Sequence, residues 1–282
     1  TRGLVASAIA TTRYVASTLE TMDNELTNQR IHDSLTLSIY EPLGVIAAIT
    51  PWNSPIASEV QKLIPALAGG NAVILKPAEA TSLIALEIAK RFEEAGLPKG
   101  ILSVLPGRGS VVGNAIVNHP LVRKISFTAG TNTGRALAHV AAERLITTSL
   151  ELGGKSPTIV LEDADIDLAV NGVIYGIFSS AGQACIAGSR LFIHASLYDT
   201  FVAKLVAKTA KLRVGHPEDP QTQVGPVISE QHLLGIDRYV QQALVEGGKI
   251  EVGGQRLTDG ELAKGSYYAP TVITGLKNSD SV

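Results

Sequence analysis

The sequence predicts a doubly wound parallel α/β sheet followed by a second, smaller α/β unit, and three observations carry that prediction. Short β-rich runs alternate with amphipathic helical segments through residues 44–151, the pattern of a parallel sheet covered on both faces. At 282 residues the chain is long enough for roughly two domains. With 45% hydrophobic residues, 18% charged residues and 27 glycines, it can bury a sizeable core and turn tightly many times.

The elements follow in order. The opening TRGLVASAIATTRYVASTLE lacks an initiating Met, carries no signal-like apolar core, and reads as a helix entered midway. Thr27 to Tyr40 alternates, with Ile31, Leu35, Leu37 and Ile39 against polar partners, and predicts a two-stranded ribbon that cannot bury itself alone. Strands are expected at Gly44–Thr50, Ala72–Lys76, Ile101–Leu105, Lys124–Thr128 and Thr147–Glu151. Helices are expected at Ser54–Ala68, Ser82–Ala95, Ser110–Asn118 and Thr131–Glu143, making four crossovers. After Glu151, SPTIVLEDADIDLAV gives a strand, an Asp-rich N-cap and a new helix. The expected organisation is therefore a helix and ribbon over 1–43, a sheet domain over 44–151 and a further α/β domain over 152–282. That last domain ends in the polar LKNSDSV without a closing element, so both ends read as those of a fragment or processed chain.

Several function classes are disfavoured at this level. The formal net charge is −2 and no run of five like charges occurs, which argues against nucleic-acid binding and polybasic membrane contact. The charge-free stretch between Asp167 and Arg190 holds too much Gly, Ser, Asn and Gln for a lipid-facing helix, and predicts a buried helix running into a loop. One cysteine excludes an internal disulfide and any zinc site needing two cysteines, so no metal site is expected and a reducing cytoplasmic setting is the default.

The residues able to carry chemistry cluster at predicted strand ends. Cys185 lies in AGQACIAGSR. Taken alone it reads as an inert buried thiol, but Gly182 and Gly188 allow a turn that presents sulfur and backbone amide to one cavity, as a nucleophile with its own oxyanion donor requires. Glu151 ends a strand, either paired with Lys155 or standing as a general base where parallel strands meet ligands. Asn53, in TPWNSP, is an N-cap or turn residue whose amide could also donate to an oxyanion. Lys76 and Glu79, in ILKPAEA, are either a surface pair or the donors and acceptor of a ribose diol. The glycine groups LPGRGSVVG and SFTAGTNTG each open a helix whose first N–H groups would face a pyrophosphate. Neither group is a GxGxxG fingerprint.

Together, TPWNSP, ILKPAEA, KISFTAGTNTG, LELGGKSP and GQACIAGSR, in this order, resemble the NAD(P)-dependent aldehyde dehydrogenase superfamily across essentially the whole chain. The resemblance implies a Rossmann-like cofactor domain and an incomplete catalytic domain. It implies oxidation of a small-molecule aldehyde to a carboxylic acid through a thiohemiacetal and a thioester on Cys185. Glu151 would activate water, Asn53 and the Cys185 amide would form the oxyanion hole, and Lys62 would match a family lysine sometimes discussed as a proton relay, although a helix-surface lysine is the plainer reading. NAD, with NADP as the other possibility, would be held by Thr50, Trp52, Lys76, Glu79, Gly109, the turn Ala129, Gly130 to Gly134, and Leu152 with Gly153. Glu79 favours NAD, because its carboxylate would repel a ribose 2′-phosphate. A cytoplasmic homodimer or homotetramer is expected, with the ribbon as its contact.

Three departures from the family pattern stand out. Ala129 and Gly130-Thr131 replace the usual Gly-Ser-Thr of that turn, Ser54, Ser58 and Gln61 share one predicted helix face and imply a wider or more polar substrate channel, and the EIFGPV segment is absent. Two other readings stay open: a nucleotide-binding fragment without turnover, and a thiol acyltransferase or esterase.

Overall fold

The computed structural model describes residues 2–28 and 31–282. The chain divides into two units, residues 1–152 and 153–282.

In the first unit, helix α1 (Arg2–Glu20) packs along a later helix and buries only Ala8. Strands β1 (Glu25–Leu26) and β2 (Leu37–Ser38) form an antiparallel pair, Glu25 opposite Ser38 and Leu26 opposite Leu37. The expected ribbon therefore shrinks to two residues per strand. Ile31, Leu35, Leu37 and Ile39 stay exposed, as a lone pair of strands offers no second layer to bury them. Gln29 and Arg30 of that ribbon lie outside the described residues.

Then come β3 (Val45–Ile49), α2 (Pro55–Ala68), β4 (Ala72–Lys76), α3 (Ser82–Glu94), β5 (Leu102–Val104), α4 (Asn114–Asn118), β6 (Val122–Ala129), α5 (Thr131–Glu143) and β7 (Thr147–Leu152). The five strands from β3 to β7 make one parallel sheet in the order β5-β4-β3-β6-β7, so the chain reverses its direction of winding between β3 and β6. Side chains alternate across the sheet. Ala47, Ile49, Ile125 and Phe127 pack with Ile116, Val117, Leu137 and Ala141 on one face, while Ile46, Ala48, Val73 and Leu75 pack with Leu63 and Ala85 on the other. The central strands β3 and β4 are covered on both faces, which is why VIAAI and AVIL read as continuous apolar runs, whereas β7 alternates exposed polar with half-buried residues. The helix expected from Ser110 to Asn118 is instead a π-helical turn, Gly109–Gly113, running into the short α4. Gly113 lies against the aliphatic stem of Lys76, with space for an added Cβ only at van der Waals distance.

The second unit comprises β8 (Pro157–Val160), α6 (Ile166–Phe178), β9 (Arg190–Ile193), α7 (Tyr198–Thr209), α8 (Glu230–Val245), β10 (Lys249–Val252) and β11 (Val272–Thr274). Strands β8 and β9 pair in parallel, and β10 and β11 antiparallel. Asp165 caps α6 by accepting from the amides of Asp167 and Leu168, both at 3.0 Å. Phe201, Leu205, Val160, Val170 and Val173 form one cluster, and Val227, Leu233, Val240 and Tyr268 a second. The apolar run after Asp167 is buried on one side only: Leu168 and Tyr175 face solvent, because α6 has a single apolar stripe in contact with that core.

Candidate functional site

Every candidate residue of the first unit except Lys62 and Gly134, which sit within helices, lies at or just beyond the carboxyl ends of the parallel strands, with the turning point between β3 and β6 at their centre. In open α/β sheets that is where ligands bind. Beyond β3, Thr50 is buried. Its amide donates to the Lys76 carbonyl at 3.1 Å, and its Oγ1 has no hydrogen-bond partner among the described residues. Trp52 and Asn53 are half-buried, and each holds interactions of its own. Asn53 is not the helix cap: Ser54 occupies that position, with φ −144° and no side-chain cap bond, and Pro55 follows at the first helical position, where its fixed φ suits the turn.

Beyond β4, Lys76 is no surface lysine. It is buried, its ammonium donates to the Pro77 carbonyl at 2.9 Å, and burial lowers its pKa while the charge of Glu79 pulls it back up. Glu79 is exposed, and its Oε1 accepts from the Gly109 amide at 3.2 Å. Lys76, Glu79 and Gly109 are thus brought to one edge. Beyond β6, Gly130 precedes α5 without a side-chain cap, and a Cβ there would meet nothing within 4 Å. Gly134 does something else. A Cβ on it would lie 2.5 Å from Leu152 Cδ2, so this glycine lets α5 close onto β7, and Leu152 packs into the core beneath.

Glu151 is exposed on β7 in register with Thr128 on β6. Lys62 on α2 is half-buried, in contrast to the plain helix-surface reading. Its Nζ donates to Ser126 Oγ on β6 at 3.1 Å, burial lowers its pKa to about 8, and the Glu151 charge acts against that fall. Ser54, Ser58 and Gln61 do not share one environment: Ser58 is buried, Ser54 half-buried and Gln61 exposed. Two residues were not singled out from the sequence. Ser126 is one. Glu59 is the other: it is fully buried, neither carboxyl oxygen has a described partner, and burial raises its pKa to about 8. The signal for it was present, since Ile56, Glu59, Leu63 and Leu67 follow helical spacing and place a carboxyl on the apolar stripe.

In the second unit, Cys185 is exposed and free, not an inert buried thiol. Three successive left-handed residues, Ser180, Ala181 and Gly182, turn the chain out of α6 toward it, with φ of 54°, 53° and 73°. Two of them are not glycines, a strained arrangement costing on the order of 1–2 kcal/mol per residue. Gln183 braces the loop, donating to the Ser180 carbonyl at 3.1 Å and accepting from the Ile228 amide at 2.9 Å. Behind it Gly188 approaches Thr158 so closely that a Cβ would lie 2.2 Å from Oγ1. The Cys185 amide has no acceptor among the described residues. Gly153 is exposed with open space around it, and a Cβ on Gly154 would lie 3.3 Å from the Cys185 carbonyl oxygen. Lys155, one candidate partner for Glu151, stands 5.9 Å over the Tyr239 ring. Among the described residues no group of three or more His, Cys, Asp or Glu could hold a metal ion, and no helix is long and apolar enough to cross a membrane.

The aldehyde dehydrogenase family model matches residues 1–282. Among solved structures, PnpE from Pseudomonas sp. WBC-3 superposes with a TM-score of 0.95 at 39% identity, over 99% of this chain and 57% of its own. A double mutant of betaine aldehyde dehydrogenase from Staphylococcus aureus, solved with NAD+, gives 0.93 at 38% identity over 95% of this chain and 54% of its own. An aldehyde dehydrogenase from Bacillus cereus, also an NAD+ complex, gives 0.94 at 37% identity over 98% and 55%. The chain thus spans slightly more than half the length of the structures it matches.

Proposed function

The chain belongs to the aldehyde dehydrogenase family, and from that premise we propose that it oxidises an aldehyde to the carboxylic acid with NAD as electron acceptor. The observation that carries this reading is the Cys185 loop, an exposed thiol whose own amide has no acceptor among the described residues, so that nucleophile and oxyanion donor are offered together.

Cys185 attacks the carbonyl carbon as the thiolate and gives a thiohemiacetal oxyanion. The Cys185 amide and the Asn53 side-chain NH2 donate to that oxygen, each contributing about 3–4 kcal/mol to the barrier reduction on the precedent of oxyanion-hole donors. Bound NAD supplies the acceptor for the hydride that leaves this carbon. A thioester on Cys185 remains. Glu151 takes a proton from water as it attacks the thioester, and the sulfur departs. A carboxylate base is what separates hydrolysis from acyl transfer, and Lys62 stands close enough to Glu151 for its charge to be felt.

The residues present fit a dinucleotide. Lys76 and Glu79 flank the end of β4 as donor and acceptor for the adenine ribose, and the Glu79 carboxylate disfavours a 2′-phosphate. Ala129 and Gly130 would leave the uncapped N–H groups of α5 open to the pyrophosphate, and Gly109 would join the site beside Glu79, to which its amide donates. Thr50 Oγ1 and Trp52 line the β3 end, while Gly134 and Leu152 support the turn by packing, and Gly153 leaves room beside it. The exposed apolar residues of the β1–β2 ribbon support assembly as a homodimer or homotetramer, and the single free cysteine fits a cytoplasmic setting.

Glu151→Gln tests the reading. The variant is expected to keep the first burst of NADH and lose most steady-state turnover. An unchanged steady-state rate would remove Glu151 from the role of base. Binding of NAD with no burst in the native chain would reduce the function to nucleotide binding.

A further inference from the structure

Toward their carboxyl ends β6 and β7 set polar residues on the face opposite the apolar core. Ile125 and Phe127 of β6, and Leu150 and Leu152 of β7, turn into the core beneath α4 and α5. The alternate positions Ser126 and Thr128 on β6, and Ser149 and Glu151 on β7, therefore point to the opposite face, where the register sets Ser126 beside Ser149 and Thr128 beside Glu151. Helix α2 lies on that face, and its one ammonium reaches this polar strip: Lys62 Nζ donates to Ser126 Oγ at 3.1 Å across a sequence separation of 64 residues. Glu151 stands two residues further along the neighbouring strand, a diagonal of about 7–8 Å that long side chains can bridge.

We infer that Ser126 is a positioning residue: its hydroxyl, accepting from the Lys62 ammonium, holds that charge on the Glu151 side of the sheet. This rests on the reading of Glu151 as the base. A half-buried ammonium needs an acceptor to stay charged, and Ser126 Oγ is the one described for it. Glu151 is the one charged group acting on Lys62 among the described residues. Glu59, one turn back on the same helix, is uncharged until about pH 8. The hydrogen bond to Ser126 fixes the Lys62 ammonium on the side of the sheet that carries Glu151, and without that acceptor the ammonium is free to leave it.

The test reads Lys62 directly. The rate of amine labelling at Lys62, followed by peptide mass spectrometry from pH 6 to pH 11 in the full chain, gives its titration without reference to turnover. Ser126→Ala is expected to lower the Lys62 midpoint by about half a pH unit or more, because the charged form loses its acceptor. Ser126→Thr, which keeps the hydroxyl, should leave it in place. An unchanged or raised midpoint in Ser126→Ala, or a shifted one in Ser126→Thr, would overturn the proposal. Should Ser126→Ala not fold, Ser126→Cys replaces the oxygen with a weak acceptor and carries the same expectation. A second readout joins the inference to catalysis. In Ser126→Ala the NADH burst should persist while the pH profile of steady-state turnover shifts; a profile superposable on the native one overturns the link. Failure of the reading of Glu151 shows separately, as a native chain whose turnover survives Glu151→Gln while the Lys62 titration still responds to Ser126.

Discussion

Replacing Glu59 by Leu should stabilise the first unit by an amount that grows with pH. Glu59 is fully exposed to the protein interior and not to water, has no described hydrogen-bond partner, and has its pKa raised by burial from 4.5 to about 8. The sign follows from proton linkage. Below the unfolded pKa both states hold the proton and the group costs little. Above it the unfolded chain ionises and the folded chain does not, so stability is lost progressively until the folded pKa is passed. With these two values the native chain loses about 3–4 kcal/mol between pH 5 and pH 8 through this one carboxyl, at roughly 1.4 kcal/mol per pH unit across most of the interval. Glu59→Leu removes that term and fills a similar volume beside Leu63. The assay is urea unfolding of both proteins at several pH values, read by the fluorescence of Trp52. It is the only tryptophan and lies in the same unit. Taking the variant-minus-native difference cancels the other titrating groups. A difference that does not change with pH would refute the reasoning and mean that Glu59 is ionised in the folded chain.

Further predictions follow from packing and capping. Gly188→Ala should destabilise the second unit by about 1–3 kcal/mol, because the new Cβ meets the stiff, β-branched Thr158, and Thr158→Ala should restore most of that loss in circular-dichroism melts. Phe201→Ala, at a fully buried position in the α6–α7 core, should cost about 3–5 kcal/mol by the same measurement. Asp165→Ala removes the acceptor of two α6 amides and should cost about 1 kcal/mol.

The sequence made the sheet legible because β3 and β4, buried on both faces, read as apolar runs, β6 alternates core residues with polar ones, and each ends at a polar or glycine-rich turn: Thr50 to Asn53, Lys76 to Glu79, Ala129 to Gly130. Most candidate residues of the first unit fall at the carboxyl edge of the sheet, as the sequence reading expects, since connectivity alone fixes which end of a parallel strand faces the crevice. What it hid depends on tertiary neighbours. Lys62 has the spacing of a surface lysine, and only the approach of β6 shows that it is half-buried on Ser126. Gly134 looks like part of a phosphate loop until Leu152 is seen against it. Gly182 and Gly188 mark a turn around Cys185, but the left-handed Ser180 and Ala181 that lead into it are residues propensity would not put there. The π-helical turn at Gly109–Gly113 and the two-residue strands of the ribbon are likewise set by packing, not by local pattern.

The central claim is that Cys185 carries the acyl group. It is tested most directly by mixing the Glu151→Gln chain with NAD and an aldehyde, quenching with acid, and mapping the adduct by peptide mass spectrometry. The account predicts one acyl group on the Cys185 peptide, in proportion to the NADH formed, and neither adduct nor NADH in a folded Cys185→Ala, Glu151→Gln variant. NADH formed with no adduct on Cys185, or formed equally by the variant lacking the thiol, would contradict it.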